Sequence, residues 1–442
     1  MKTVHVPFGF FPDPVGGTEV YVAALARELQ REGMAAVIAA PGEARRSYVH
    51  DALTVHRFPV APPDGIRDLY GEGDPAAAAD FGTVLDRERP DLVHLHAFTR
   101  GVSMRLAREA SCRGIPIVFT YHTPTVSCPR GTLLRWGRDV CDGRIDLARC
   151  TPCALHGHGV PRFAAEAAAR LPQVLARRVA ASGLEGGVWT ALRMRELVAL
   201  RTDTFRALMD HVDVVVALAD WTRDLLVCNG VAPERIAIVR HGIAADGGNA
   251  VEWPQRTAHP GSLRIAALGR ADRGKGFDVL IRAIRACGAN IEADLYLVAQ
   301  SDADANQIDA WRTLAAGDAR IRFLPPLAPA DVVSSLRAYD LVAVPSQIVE
   351  TGPLVVLEAF AAGVPVVGSR VGGIAEMVRH EVDGLLVESD SPIAWRQALE
   401  RAAGDPSFLV RMRQAIAPVR RMRDVAREML AVYERCAQVV HV

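Results

Sequence analysis

Two glutamates bracket an apolar run in "ETGPLVVLE", Glu350 to Glu358. A carboxylate in such a run needs a partner, because burying a charge unpaired is costly. The run follows the strand candidate "LVAVPS". Gly352 and Pro353 suit a helix start, since proline is tolerated at the first helical position. The helix is predicted from about Leu354 to Ala362. Glu350 then lies in the loop before it, and Glu358 lies one or two turns in. Across that bend the two carboxylates can contact two ends of one extended ligand. Carboxylates accept hydrogen bonds well from sugar hydroxyls. The free N–H groups of the helix start lie between them and suit a diphosphate. The plainer alternative has Glu350 stabilising the helix N-terminus and Glu358 pairing with an arginine.

A second string, "GRADRGKGF" (269–277), follows the strand "LRIAAL" and precedes the helix "FDVLIRAIRACG". Glycines at a strand-to-helix turn let backbone N–H groups face a phosphate. Arg270 and Lys275 add two positive charges there. Gly269, Gly274 and Lys275 have the spacing of a P-loop, but Gly276 stands where a P-loop needs Ser or Thr for magnesium. That argues against an NTPase. The absence of GxGxxG after the first strand weakens a dinucleotide reading. The plainer alternative is a turn with two solvated bases. Gly16 and Gly17, just before the first helix, also suit close backbone approach to a ligand. His122 ends the strand candidate "IPIVFTYH", and His94 and His96 end its neighbour "DLVHLHA".

The third constellation is cysteine. Cys128, Cys141, Cys150 and Cys153 fall in one loop-rich stretch, and the last two have the C-x2-C spacing of zinc ligands. Four thiolates on one zinc would staple a segment with little apolar core. His156 and His158 could substitute for a ligand. The alternatives are four free thiols, a redox pair or an iron–sulfur cluster. Cys112, Cys228, Cys287 and Cys436 are scattered and read as ordinary thiols.

These residues need elements to hold them. The 442 residues suggest two domains. Strand candidates occur at 3–8, 34–40, 53–60, 91–97, 115–122, 212–219 and 236–242, then at 263–270, 293–300, 320–327, 339–346, 364–370 and 383–389. Near-continuous apolar strands alternating with helices mean parallel sheets covered on both faces. The stretch 243–262 has no period and reads as a linker. Residues 161–210 are helix formers without a strand and carry Arg162, Arg170, Arg177, Arg178, Arg193, Arg195 and Arg201. They read as a solvated helical insertion, or as a face for an anionic membrane or lipid-linked acceptor.

Lys plus Arg equals Asp plus Glu, at 51 each, so no global charge draws the chain to nucleic acid. Prolines interrupt the N-terminus, which does not read as a signal peptide. No apolar run reaches membrane-spanning length. The expected location is cytoplasmic, with peripheral contact at the inner membrane as the variant.

Together, "VGGTE", "HTP", "GRADRGKG" and "ETGPLVVLEAFAAGVPVV" resemble the retaining family-4 glycosyltransferases of GT-B fold. The resemblance covers nearly the whole chain. It implies an α/β fold with two Rossmann-like doubly wound domains facing across a cleft. The expected divisions are 1–245 for the acceptor side, 246–415 for the donor side and 416–442 for a helix crossing back. The Cys-rich insertion spans 125–160 and the helical one 161–210. The resemblance further implies a nucleoside-diphosphate sugar donor, a hydroxyl acceptor and no metal required for catalysis. Arg270 and Lys275 would hold the diphosphate, and Glu350 the hydroxyls of the transferred sugar. Backbone N–H groups from Gly352 through Pro353 to Leu354 would assist at sugar and phosphate. Glu358 would bind the ribose, His122 the sugar, and Gly17, beside Gly16, would close on the diphosphate. Two strings depart from the family, "QSDAD" after "LYLVA" and "TGP" in place of a Phe-Gly pair, and both bear on base and sugar identity. A catalytically inactive nucleotide-sugar-binding protein, or another GT-B enzyme such as a sugar-nucleotide epimerase, is the alternative.

Overall fold

Strands that are apolar on both faces fold only where helices cover both sides of a parallel sheet. The computed structural model describes residues 1–439 except 14, 171, 173, 175, 177, 180–185 and 245–261. It divides the chain into two units, residues 1–240 joined by the segment from Met422, and residues 241–421. Each unit carries one large sheet. The predicted linker lies mostly outside the described residues.

The first unit contains β1 (Lys2–Val6), β2 (Ala35–Gly42), β3 (Arg46–His50), β4 (Leu53–Pro59), β5 (Leu92–Leu95), β6 (Ile117–Tyr121), β7 (Leu134–Arg135), β8 (Asp139–Val140), β9 (Val214–Ala217) and β10 (Ile236–Ile238). The sheet order is β10-β9-β6-β5-β1-β2-β4-β3. All its pairs are parallel except β3 with β4. β7 and β8 form a separate two-stranded ribbon in the Cys-rich stretch. The first helix, Gly17–Arg31, buries Val22, Leu25, Ala26 and Leu29 on one face, as their spacing predicts. The last helix, Met422–Val439, packs against it. Its Met422, Val425, Ala426, Met429, Tyr433 and Cys436 recur at helical spacing and are buried in this unit's core.

The second unit contains β11 (Leu263–Arg270), β12 (Ile291–Val298), β13 (Ile321–Leu324), β14 (Leu341–Val344), β15 (Val366–Ser369) and β16 (Gly384–Val387). All pairs are parallel, in the order β13-β12-β11-β14-β15-β16. That is the doubly wound order, and it reverses between β11 and β14. Apolar cores fill both faces, one around Ile265, Ile281 and Trp395, the other around Val342, Val356 and Ile374.

Every strand expected from the sequence is present, shortened at some ends. β3, β7 and β8 are additional to those expectations. β3 is an exposed edge strand with little apolar content, and the other two have two residues each. The 161–210 stretch contains helices Arg162–Ala169 and Gly187–His211. Among the described residues no helix is long and apolar enough to cross a membrane.

Candidate functional site

In a doubly wound sheet, ligands bind beyond the carboxyl ends of the strands where the order reverses. In the second unit that place is served by the loops after β11 and β14. The first loop carries Arg270 and Lys275, and the second carries Glu350. The structure thus brings together residues that are 75 positions apart in sequence: Lys275 Nζ donates to Glu350 Oε2 at 2.6 Å. Both side chains are largely buried. The other carboxylate oxygen, Glu350 Oε1, is buried with no hydrogen-bond partner among the described residues. A buried polar oxygen left so costs about 1–3 kcal/mol. A ligand hydroxyl would satisfy it.

Two glycines fit the loops to each other. The Gly274 carbonyl accepts from Gln347 N at 2.7 Å, Ile348 N at 3.3 Å and Ser346 Oγ at 3.3 Å. Asp272 caps the turn by accepting from Gly274 N at 2.6 Å. Gly276 has φ 68°, a left-handed conformation, and a Cβ there would lie 1.9 Å from the Pro345 carbonyl oxygen. Gly276→Ala is therefore expected to destabilise the second unit by at least about 2 kcal/mol. Urea unfolding followed by circular dichroism reads it, and an unchanged midpoint would contradict the packing described.

Glu350 is held from behind by residues the sequence reading did not single out. Gly373 N donates to the Glu350 carbonyl at 2.7 Å. A Cβ on Gly372, at φ 48°, would meet that same carbonyl at 2.8 Å. The available signal was the pair "GG" directly after a strand in "VVGSRVGG". His241, also unforeseen, packs against Gly352, where a Cβ would approach its ring carbon to 2.9 Å. Burial pushes its imidazole down to about 4.

The helix begins at Leu354 and ends at Ala361, with Pro353 as its N-cap rather than its first helical residue. Gly352, Pro353 and Leu354 thus form the entry to the helix. Glu358 sits just over one turn in. No hydrogen bond or ion pair engages its carboxylate among the described residues, so the arginine partner of the plainer alternative does not appear. Burial pushes its carboxyl up to about 7. Arg270 ends β11, exposed, and its Nη1 lies 3.4 Å from Gln300 Oε1. Gln300 belongs to the departing string "QSDAD".

In the first unit, Gly16 caps the first helix and its N–H donates to Glu19 Oε2 at 2.8 Å, while Gly17 is the first helical residue. His122 directly follows β6 and is buried. Its Nε2 lies 3.1 Å from His96 Nδ1, and His96 Nε2 lies 3.1 Å from His5 Nδ1. Burial holds His5, His94 and His96 well below the ordinary imidazole range. These three bring ligand atoms within 4.8 Å of one another. Their nitrogens are nevertheless committed: His94 meets Tyr433 Oη and Thr120 Oγ1, each at 2.7 Å, and His96 is taken at both ends. Only His5 Nε2 stands without a partner among the described residues, too little to hold a metal. Burial keeps His5, His94 and His96 neutral, and hydrogen bonds link His5 through His96 to His122.

Cys128, Cys141, Cys150 and Cys153 all line one cavity of about 30 Å³. All are free thiols. Of the arginines considered for a membrane face, Arg193 is buried, Arg195 donates to the Ala169 carbonyl, and Arg162 pairs with Glu166. Arg201 donates to the carbonyls of Phe98 and Thr125. Arg193, Arg195 and Arg201 serve the fold, whereas the Arg162–Glu166 pair is exposed. Arg177 lies outside the described residues.

Residues 262–405 match the family described as "Glycosyl transferases group 1", and residues 16–147 the one described as "Glycosyl transferase 4-like domain". The D-inositol 3-phosphate glycosyltransferase of Corynebacterium glutamicum is 35% identical over 220 residues, which are 46% of this chain and 52% of that protein. This chain therefore spans about half the length of that relative. The protein of the same description from Corynebacterium diphtheriae is 27% identical over 415 residues, 88% of this chain and 82% of its own. Among solved structures, sucrose-phosphate synthase from Thermosynechococcus elongatus superposes with TM-score 0.65 at 16% identity, covering 98% of this chain and 99% of its own. Anabaena HepE in complex with UDP does so with TM-score 0.61 at 15% identity, covering 98% and 100%.

Proposed function

This chain belongs to the group 1 glycosyltransferases and has the GT-B fold, and from that premise we propose that it moves a sugar from a nucleoside-diphosphate sugar to a hydroxyl acceptor with retention at the anomeric carbon. The observation that carries this reading is Glu350, which holds Lys275 with one carboxylate oxygen and keeps the other buried and unpartnered among the described residues. One loop pair thereby offers a cation for a phosphate and an acceptor for a sugar hydroxyl.

The proposed mechanism follows from where charge develops. Breaking the anomeric bond leaves a nucleoside diphosphate and an oxocarbenium-like sugar. Lys275 and Arg270 stabilise the departing negative charge, helped by the N–H groups at the Gly352–Leu354 helix entry. Glu350 orients the transferred sugar, and Glu358 accepts from the ribose hydroxyls. The acceptor attacks from the leaving-group face with a phosphate oxygen as base, so no protein nucleophile is assigned. Structural neighbours that bind UDP and UDP-glucose support a nucleotide-sugar donor. The names of the relatives make an inositol phosphate the first acceptor to try.

The test is a thermal-shift panel of UDP, GDP, ADP, CMP and NAD without added metal, then transfer from the matching sugar nucleotide with the product anomer read by NMR. A rise with one nucleoside diphosphate and a product of the donor's anomeric configuration are expected. No rise with any of them, in folded protein, overturns the donor site. An inverted product overturns retention alone.

A further inference from the structure

The segment after His122 buries Val126, Leu133 and Leu134, and its helix packs in a small core with Leu197 and Val198, but the stretch before that helix has little regular structure. It contains a ribbon of two-residue strands, β7 with β8. A hairpin of that size is not stable by itself in water. Leu133 and Trp136 have positive φ, 51° and 58°, as do Gly131, Gly137 and Gly143. For residues other than glycine that backbone costs about 1–2 kcal/mol each. Something must hold this turn-rich chain in place.

We infer that Cys128, Cys141, Cys150 and Cys153 bind one structural zinc ion as a tetrathiolate. The four side chains arrive from three parts of the segment: Cys128 from the turn after β6, Cys141 from the end of the β7–β8 ribbon, and Cys150 and Cys153 from the first turns of helix Leu147–Gly157. All four line the same cavity of about 30 Å³. That is room for an ion. The backbone N–H of Trp136 already points to Cys153 Sγ at 3.4 Å, the kind of donor that supports a metal-bound thiolate.

The surroundings are basic as well. A zinc ion with four thiolates carries a net charge of −2, and the cavity is lined by Arg130, Arg135, Arg144 and Arg149. Arg130 is fixed beside it by donating to the Cys153 carbonyl at 3.2 Å. A tetrahedral site with Zn–S of about 2.3 Å needs sulfurs about 3.8 Å apart. No three of these sulfurs lie within 4.8 Å of one another among the described residues, so binding the ion requires them to draw closer together.

The ion ties the segment to β6, the strand directly before His122. Cys128 N donates to the Pro124 carbonyl at 2.9 Å, and Ser127 Oγ lies 2.7 Å from Tyr121 Oη. On the other side Asn229 bonds Ile145 N and the Gly143 carbonyl. The family match ends at residue 147, before Cys150 and Cys153. The site is independent of the sugar-transfer reading.

The experiment is elemental analysis of the 442-residue chain purified without chelator, with thiol titration. One zinc per chain is expected, released by a mercurial as four protected thiols become reactive. Cys150→Ser with Cys153→Ser should lose the zinc. Cys112→Ser with Cys228→Ser, at exposed positions outside the cluster, should keep it. Because the cluster variant can fail to fold, wild-type protein is also produced with cobalt, which should show the visible bands of tetrahedral cobalt bound by thiolate. Zinc retained by the folded cluster variant overturns the site. So do iron with sulfide, disulfides among the four cysteines, absent metal, or cobalt without thiolate bands.

Discussion

Lys275→Ala is expected to lower the rate of sugar transfer by about 10²–10³-fold, the loss typical when one donor to a developing oxyanion is removed. Nucleotide binding should weaken far less. At the proposed donor site the ground-state diphosphate would keep Arg270 and the helix entry, whereas the charge that appears as the bond breaks would lose its nearest cation. Glu350→Gln is expected to slow transfer comparably, for a different reason. Glutamine keeps the shape but removes the negative charge that pins Lys275 Nζ at 2.6 Å. The two residues are in contact, so the double variant should lose much less than the product of the single losses. Arg273→Ala is the control. Its guanidinium donates to Gln307 on the exposed side of the same turn, and its loss should leave turnover near normal. Initial rates for the four variants decide the matter. Near-normal rates in both Lys275→Ala and Glu350→Gln would remove the site.

The second large effect concerns pH. Burial pushes Glu358 up to about 7 by penalising its charged form. A nucleoside whose ribose hydroxyls donate to that carboxylate favours the charged form instead. Binding therefore lowers the group's pKa and releases a proton. Affinity should rise with pH and level off above about 7, with a slope below that of up to tenfold per pH unit. In the ligand-free protein the sign is opposite. Stability falls as pH rises through the interval between the unfolded carboxylate value and about 7, because only the folded state resists ionisation. Calorimetry in two buffers of different ionisation enthalpy counts the proton released. Glu358→Gln should abolish both the release and the slope. A wild-type affinity flat from pH 5 to 8 would show that Glu358 does not meet the ribose.

Much of this site is legible in the sequence. The order of strands and helices can be read because parallel sheets buried on both faces write themselves as apolar runs. Glu350 is legible because a charge stands in such a run. What the runs do not convey is which loops meet. That depends on β11 and β14 lying side by side although β12 and β13 come between them in the chain, a property of winding rather than of any local pattern. The contact of Lys275 with Glu350 follows from it. Gly372 and Gly373 stay hidden for a similar reason: their need for glycine comes from backbone some twenty positions earlier in the sequence. The histidine chain is visible only in part. His94 and His96 stand at the end of one strand candidate, but His5 lies in another, and register alone puts His5 opposite His94. β3 escapes because an edge strand buries too little to leave an apolar signature.

The helix Met422–Val439 has a consequence for the order in which the molecule is made. The second unit is one uninterrupted stretch of chain, complete once residue 421 has left the ribosome. The first unit is not. Its core waits for the last helix to supply Val425, Met429 and Tyr433, and His94 waits for the Tyr433 hydroxyl. The half synthesised first is thus the half finished last. Its strands must be kept from pairing elsewhere while the later unit folds ahead of it, the reverse of the usual N-terminal-first sequence of events.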